Sequence, residues 1–323
     1  MDTDVQRRQL LAGLTLMLSG TGAAFAQGEK TVRVVLPNAV SSGVDTITRS
    51  AQAALAKALG HPVVVENQPG AGGVVGVQTL ARAAPDGFTL GVVSNNVVIF
   101  PSVIKSLPFD LNTDVVPIAI CGYTPVVLVV NPKLPAKDSK EFVAYLKSKG
   151  GEANYASGGN GTILHLAAAM FLDEAGVTAR HIPYKGVGPM LTDLIGGQVD
   201  FATAALPSVQ AHLKTGALRA IGVTTAQRVP AAPDIPSFVE QGLPGYVVEA
   251  WFAVLGPKGL PAADVKRINA ALVTAFADPA VMEAMGKQGN VIHISTPEFA
   301  QKFFKDELVK YARLVKKAGV EAQ

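Results

Sequence analysis

Short apolar runs alternate along the chain with longer segments in which apolar residues recur every three or four positions. The runs are rich in β-branched residues and predict strands, several of them apolar on both faces as in buried parallel sheets. They are TVRVVLP, HPVVVE, FTLGVV, VVLVV, ANYA, HIPY, VDFATA, LRAIGVT, EAWFAVLG and VIHIS. This alternation predicts an α/β fold with parallel or mixed sheets and helices on both sides.

Two of the periodic segments have clear helix boundaries. The first covers residues 44–59 and is followed by Gly60, a residue that commonly ends helices. Its predicted buried face consists of Val44, Ile47, Ala51, Leu55 and Ala58. The second begins at Thr296 and Pro297, a cap followed by a first-turn proline, and ends at Gly319. Its predicted apolar stripe consists of Phe299, Phe303, Tyr311, Val315 and Ala318.

The N-terminus has the pattern of a secretory signal peptide. Arg7 and Arg8 precede the apolar run LLAGLTLMLSGTGAAF, and small residues stand two positions apart in Ala24-Phe25-Ala26. A membrane anchor is the alternative, but the run is shorter than the roughly 20 apolar residues that a spanning helix needs. We therefore predict that residues 1–26 are a signal peptide and that the mature protein is periplasmic. Both Sec and twin-arginine export fit the paired arginines.

The composition favours a folded, two-lobed protein. With 323 residues, of which 49% are hydrophobic and 16% charged, the chain can bury a sizeable core. The net charge of +3 is spread thinly and no Lys/Arg block occurs, so we expect no nucleic-acid partner. Cys121 is the single cysteine, and we expect it to be a buried apolar residue, without a disulfide or a nucleophilic role.

Three connections between a strand and a helix are rich in Gly, Ser and Asn: residues 37–45, 67–76 and 157–162. Glycine lets a ligand approach the backbone, and free N–H groups at a helix start favour negative charge. Each connection is therefore either an anion site or a tight turn. No Gly-Lys-Ser/Thr follows a glycine loop, and no acidic residue follows GAGGVVG at the spacing that holds a ribose. We predict no cofactor.

Catalytic patterns are missing as well. The five histidines lack metal-ligand spacing, and Tyr155 stands where a G-x-S-x-G motif would need its first glycine. We therefore predict no catalytic residue and no metal site. His165, in the first turn of the helix after the third loop, either contacts a ligand or caps backbone groups.

Five segments, in this order, resemble the signature segments of the Bug family, also called TctC. They are APDGFTLGVVSNN, LPFDLNTDVVPIA, YASGGNGTILHLAAAMF, HIPYKGVGPMLTDLIGGQVD and LKTGALRAIGVTT. The family comprises the extracytoplasmic solute receptors of tripartite tricarboxylate transporters. The resemblance implies a two-lobed periplasmic-binding-protein fold (Venus-flytrap, type II-like) with a ligand cleft between the lobes, and carboxylate uptake without chemistry.

The resemblance also implies which residues bind the ligand. The loop after the first strand would hold one carboxylate, and the glycine-rich loop of the other lobe would face it. The residues carried over are Asn38, Val40, Ser41, Ser42, Gly43 and Asp45 in the first loop, and Ser157, Gly158, Gly159, Asn160, Gly161 and Thr162 in the second. Relatives usually have an aromatic residue and Gly-Gly in the first loop. Asn38 and Ser41-Ser42 replace them here, which indicates a more polar pocket.

Further residues are assigned to the same cleft. Ser94 and Asn95 follow the strand TLGVV and either line the cleft or form a hydrogen-bonded turn. His165 and Ala204 complete the predicted ligand site. Lys185 either attracts an anion or lies on a loop surface.

We therefore predict a monomeric solute receptor that is not an enzyme. Residues 27–127 with 252–323 would form one lobe and residues 128–251 the other. The expected partners are a small organic acid or a related solute and the permease subunits of a tripartite tricarboxylate transporter. The alternatives are an exported hydrolase of carboxylate esters, with the glycine loops as oxyanion holes, and a sensor subunit that presents its ligand to a signalling partner.

The export prediction can be tested directly. Because Ala24-Phe25-Ala26 meets the small-residue requirement for cleavage, the mature chain should begin at Gln27. Mass spectrometry of protein from the periplasm measures this end, and an intact Met1 there would contradict the prediction.

Overall fold

The computed structural model describes residues 30–40, 42–317, 319–320 and 322. The predicted signal peptide, Ser41 and Ala318 lie outside the described residues. The strands are β1 (Val32–Leu36), β2 (Val63–Asn67), β3 (Thr89–Ser94), β4 (Val115–Val130), β5 (Asn154–Ser157), β6 (Arg180–Pro183), β7 (Phe201–Ala205), β8 (Arg219–Val223), β9 (Glu249–Pro257) and β10 (Val291–Ile292). The helices are α1 (Gly43–Leu59), α2 (Val74–Ala81), α3 (Asn96–Val103), α4 (Ser139–Ser148), α5 (Ile163–Glu174), α6 (Val187–Gly196), α7 (Leu206–Lys214), α8 (Ala262–Phe276), α9 (Pro279–Gln288) and α10 (Pro297–Lys317).

The strands form two sheets that share β4. The first sheet has the order β2-β1-β3-β9-β4, with β10 also paired to β4. The second has the order β4-β7-β5-β6, with β8 also paired to β4. Pairs β1-β2, β1-β3, β5-β6 and β5-β7 are parallel, and the pairs that involve β4 or β9 are antiparallel. The predicted α/β fold with mixed sheets and two lobes is confirmed.

Strand β4 passes from one sheet to the other. It pairs with β9 from Val115 to Pro125 and with β7 from Val126 to Val130. The sequence prediction VVLVV therefore covers only the end of this strand. Pro117, Gly122 and Pro125 interrupt the apolar pattern of its first part, which is a strand because it pairs with β9 and β10. We keep the predicted lobe boundaries as a proposal, which the change of partner after Pro125 supports.

Helix α1 follows its predicted pattern. Ser42 is its N-cap, and Gly60 ends it in the left-handed conformation (φ 71°), which costs glycine little. Val44, Ile47, Ala51 and Leu55 are buried against the first sheet, whereas Ala58 is half-buried. Cys121 lies in the same core and is 1% exposed, as predicted. Burial raises the pKa of its thiol to about 12, so the thiolate does not form at neutral pH.

The stripe predicted for the last helix is partly wrong. Phe299 is 53% exposed and stacks on Phe303, with ring centroids 5.7 Å apart. The buried face of α10 consists of Ala300, Phe304, Glu307, Tyr311 and Val315. Glu307 belongs to the buried face although it is charged. A prediction from apolar residues alone therefore placed Phe299 and Phe303 on the buried face. No helix in the described part of the chain is apolar over a length that would cross a bilayer.

Glu307 joins α10 to strand β9 through a buried polar contact. Its Oε2 accepts a hydrogen bond from Trp251 Nε1 (2.6 Å), and its Oε1 pairs with Lys310 Nζ (2.9 Å). Glu307 is 5% exposed and Trp251 4%. Because a buried donor without an acceptor costs free energy, this carboxylate holds α10 at a fixed position on β9.

We expect Glu307→Ala to lower the free energy of unfolding by about 1–3 kcal/mol, since it leaves the buried indole N–H unpaired. Asp306→Ala is the matched control, because Asp306 forms an exposed ion pair with Lys302 on the same helix, and it should cost about 0.3–0.5 kcal/mol. Urea unfolding followed by the fluorescence of Trp251, the single tryptophan, measures both. Equal losses would contradict the proposed role of Glu307.

Candidate ligand-binding site

Hydrogen bonds with the start of α1 and the end of β2 hold the loop after β1. Ser42 Oγ accepts from the Asp45 N–H at the start of α1 (3.3 Å). The Asp45 carboxylate is 3% exposed and accepts from Arg49 Nε and Asn67 Nδ2, each at 2.9 Å. Asn67 Nδ2 also donates to Asn38 O (3.1 Å), which ties the loop to β2. Asp45 therefore braces this loop, and its contact with a ligand remains a prediction.

The outer part of the same loop carries small, uncharged groups. Val40 is 65% exposed, and a Cβ added to Gly43 would meet no atom within 4 Å. Asn38 Oδ1 is buried and has no hydrogen-bond partner among the described residues. Ser41, the remaining predicted residue, lies outside the described residues. The loop can thus receive a ligand without moving a large side chain.

The glycines of the second connection have a packing function. A Cβ on Gly73 would lie 2.6 Å from Pro37 O, and one on Gly76 would lie 2.8 Å from Pro37 Cα. Gly73 also has a φ of +110°, which favours glycine. These residues let α2 approach the loop after β1 closely. The tight-turn alternative accounts for this connection.

The two asparagines that follow β3 point in different directions. Asn95 is fully buried, and its Nδ2 donates to Tyr311 OH (2.9 Å) on α10. Asn96 Oδ1 instead accepts from the Ile163 N–H (2.8 Å), at the start of α5. Ser94 ends β3 and is half-buried. The structure thus places Asn95 in the core, unlike the predicted cleft position, because α3 begins here and rotates successive side chains by about 100°.

The glycine-rich loop is organised by its own side chains. Ser157 Oγ and Thr162 Oγ1 both donate to Gly159 O, each at 2.9 Å. Thr162 is also the N-cap of α5, and its Oγ1 accepts from the His165 N–H (3.3 Å). His165 Nδ1 accepts from the Gly161 N–H (3.1 Å). His165 therefore caps backbone, which was one of its two predicted roles, and its ligand contact remains a prediction.

These bonds leave only some backbone donors free. Internal acceptors take the N–H groups of Gly159, Gly161, Thr162, Ile163 and His165. In the described part of the chain the N–H groups of Gly158, Asn160 and Leu164 have no hydrogen-bond partner. Fewer backbone N–H groups of this loop are therefore available to an anion than its glycine content suggests.

The missing side chain of Gly161 lets the glycine-rich loop lie against helix α3. Gly161 has a φ of +69°, and a Cβ here would lie 2.8 Å from Val103 Cγ2, at the end of α3 in the first lobe. Gly158 is less constrained, since its added Cβ would lie 3.3 Å from Val187 Cγ2 within the second lobe. The loop thus touches α3 through Gly161.

Two neutral histidines lie behind the loop. The rings of His165 and His181 are parallel and 3.7 Å apart, and Tyr155 stacks on His181 at 4.9 Å. His181 Nε2 is hydrogen-bonded to Ser157 Oγ (2.7 Å). Burial lowers the pKa of His165 to about 3, helped by the adjacent His181, and burial lowers the pKa of His181 to about 4. Both rings are uncharged at neutral pH.

The remaining predicted residues, Lys185 and Ala204, lie outside these two loops. Lys185 is exposed on the loop between β6 and α6, which Gly186 links to the glycine-rich loop by donating its N–H to Gly158 O (3.1 Å). Ala204 is fully buried in β7 and pairs with Val127. Its methyl group packs in the core of the second lobe, so the structure gives it no exposed surface for a ligand.

The arrangement is suited to holding an anion with uncharged donors. Helices α1 and α5 both begin at carboxyl ends of strands, where their free N–H groups carry partial positive charge. Arg49 is already paired with Asp45. Backbone N–H, hydroxyl and amide groups therefore supply most of the available contacts.

A two-lobed α/β fold with such loops at the strand ends is that of the periplasmic binding proteins. A sequence profile described as "Tripartite tricarboxylate transporter family receptor", TctC, matches residues 47–320. The chain belongs to this family, which confirms the resemblance found in its sequence.

Solved structures agree with this assignment. The periplasmic binding protein BugD is 33% identical, with a TM-score of 0.83 over 91% of this chain and 99% of its own. MatC from Rhodopseudomonas palustris, with bound malate, is 30% identical, with a TM-score of 0.79 over 88% and 98%. Rpa4515 of R. palustris, with adipate, is 26% identical, with a TM-score of 0.86 over 92% and 100%. Members of the family thus bind carboxylates.

Sequence reasoning missed Asn96 and His181. The pair Asn95-Asn96 carried a signal, since both follow a strand end, but only helix geometry decides which side chain faces α5. His181 lies in the predicted strand HIPY, and nothing in the sequence pairs it with His165 or Ser157. Parallel pairing of β5 with β6 puts His181 opposite Tyr155.

The histidine stack predicts how stability depends on pH. Histidine has a pKa of about 6.5 when unfolded, so below that pH the unfolded chain binds more protons than the folded one. Stability should therefore fall as the pH drops from about 6.5 towards the folded value of about 4 for His181. Urea unfolding between pH 7.5 and 4.5 should show a smaller fall for His181→Gln than for the native chain.

The exposed His293 offers the control, because His293→Gln changes the number of histidines without touching the stack. Its pH dependence should follow that of the native chain. A His181→Gln profile that coincides with the His293→Gln profile would show that the stack does not contribute.

Proposed function

We propose that this chain is a periplasmic receptor that binds a small carboxylate solute between its lobes and delivers it to a tripartite tricarboxylate permease. The observation that carries the proposal is the start of α5, where backbone N–H groups that have no partner among the described residues lie beside Thr162 and Asn160. The malate and adipate bound to relatives support the same ligand class. Export and a monomeric state complete the proposal.

Uncharged donors are strong enough for this task. A hydrogen bond to a charged group contributes about 1.5–3 kcal/mol net, and a helix start adds about 0.3–1 kcal/mol. A few such contacts reach the roughly 8 kcal/mol of a micromolar complex. The N–H groups of Gly158, Asn160 and Leu164, which have no partner in the described part of the chain, would supply them at one end of the ligand.

The loop after β1 would receive the other end of the ligand. Ser42 and Asn38 replace the smaller or aromatic residues common in this loop, and Asn38 Oδ1 is a buried acceptor without a partner in the described part of the chain. Such an acceptor suits a donor on the ligand, for example a hydroxyl group. We therefore favour a hydroxylated dicarboxylate such as malate over a plain aliphatic one.

The expected ligand class can be tested by comparing acids with their amides. L-malate or adipate should raise the melting temperature of the mature protein, because a ligand bound at 100 times its Kd stabilises by about 2.7 kcal/mol. Malamide and adipamide keep the carbon chains but lack the negative charge, so they should give little or no shift. Thermal unfolding at fixed ionic strength measures this, and equal shifts for acids and amides would contradict an anion site.

The exported hydrolase is the main rival, and one contact has the geometry that it would need. Ser157 Oγ lies 2.7 Å from His181 Nε2, like a nucleophile and its base. Ser157 is fully buried, however, and its hydroxyl is also bonded to Gly159 O (2.9 Å). These contacts favour a role in holding the loop, and we therefore retain a receptor that is not an enzyme. A sensor role would use the same ligand site with another partner.

A further inference from the structure

Helix α3 of the first lobe contacts the glycine-rich loop of the second lobe at both of its ends. At its first residue, Asn96 Oδ1 accepts from the Ile163 N–H (2.8 Å). At its last residue, Val103 packs against Gly161, where a Cβ would lie 2.8 Å from Val103 Cγ2. The two contacts lie on the same loop, which also carries the proposed ligand donors.

The bond from Ile163 meets a need of helix α5. The first N–H groups of a helix have no acceptor within the helix. Thr162 Oγ1 accepts a hydrogen bond from the His165 N–H, and Asn96 Oδ1 accepts one from the Ile163 N–H. Ile163 is 5% exposed while this bond is formed, so moving the lobes apart would exchange a buried hydrogen bond for one to water.

Asn96 is held firmly enough to act across the lobes. The neighbouring Asn95 N–H donates to Trp251 O (3.2 Å), and Asn95 Nδ2 donates to Glu249 O (3.1 Å), both on β9. Asn95 Nδ2 also reaches Tyr311 OH on α10. The start of α3 is therefore fixed to the strand that, like β4, borders the second lobe.

We propose that Asn96 is a latch between the lobes, whose bond to the Ile163 N–H holds the cleft closed, with Gly161 providing the space that Val103 needs. The inference rests on the proposed function only for its effect on ligand affinity. Closure itself can be measured without a ligand. This contact also gives a reason for glycine at position 161. An added Cβ would meet Val103 on α3.

The experiment measures the distance between the lobes by double electron–electron resonance. Spin labels are placed on Thr46→Cys in α1 and Thr192→Cys in α6, which are exposed and lie in the two proposed lobes. The native Cys121 is 1% exposed and stays unlabelled in the folded protein. All variants are made in this background and first compared without ligand.

Without ligand, Asn96→Ala should reduce the short-distance population, which is the fraction of molecules whose two labels lie close together because the cleft is closed. It should also weaken L-malate binding about 2- to 10-fold, as the loss of one hydrogen bond predicts. Asn96→Asp should keep or increase that population, since a carboxylate accepts more strongly at a helix start. It should still weaken malate, because the added charge repels an anion. Asn112→Ala, in an exposed turn, is the control and should change neither.

A second pair of variants tests the glycine contact. Gly161→Ala should also reduce the short-distance population. Adding Val103→Gly should restore it, because this change removes the Cβ, Cγ1 and Cγ2 atoms that lie 2.9, 3.0 and 2.8 Å from the added Cβ, while the backbone strain at a φ of +69° is the same in both variants. Failure of this rescue would show that Gly161 is needed for its backbone conformation alone.

Other outcomes separate the latch from the proposed function. If Asn96→Ala weakens malate but leaves the ligand-free distances unchanged, Asn96 contacts the ligand directly and the latch is wrong. If no variant binds malate but the distances shift as expected, the latch stands and malate as the ligand fails. Unchanged distances in both Asn96 variants would overturn the inference.

Discussion

The backbone N–H groups at the start of α5 need acceptors, and the site is arranged around this need. Thr162 serves the His165 N–H, the His165 ring serves the Gly161 N–H, and Asn96 serves the Ile163 N–H from the other lobe. Each acceptor also fixes part of the loop. The donors that stay free in the described part of the chain are then few and fixed in direction, which suits a small anion better than a flexible loop would.

Strand β4, which belongs to both sheets, gives this arrangement its stability. Strand β4 pairs with β9 in the first sheet and with β7 in the second, so one continuous backbone connects both. Trp251 and Asn95 attach α10 and the start of α3 to β9 through buried hydrogen bonds. Breaking these buried hydrogen bonds would cost free energy, so we expect them to persist when the lobes move.

The ionisable side chains beside the two loops carry little net charge. His165 and His181 stay uncharged because they are buried side by side, and Arg49 is neutralised by Asp45. An anion at these two loops would meet helix dipoles and hydrogen-bond donors, with Lys185 on the neighbouring exposed loop as the nearest predicted cation.

The apolar pattern of the sequence determined the α/β alternation, the burial of Cys121 and the limits of α1, because these depend on residues close in the chain. Its ordered motifs determined the family. The first part of β4, the exposed Phe299 and the buried Glu307 were decided only by tertiary structure, since partners distant in sequence supply their pairing and burial. The same holds for the site. Glycine content indicated the loop after β5, but which N–H groups stay free, and whether Asn95 or Asn96 reaches across, depend on how α3 packs against α5, because hydrogen bonds between lobes leave no local pattern in the chain.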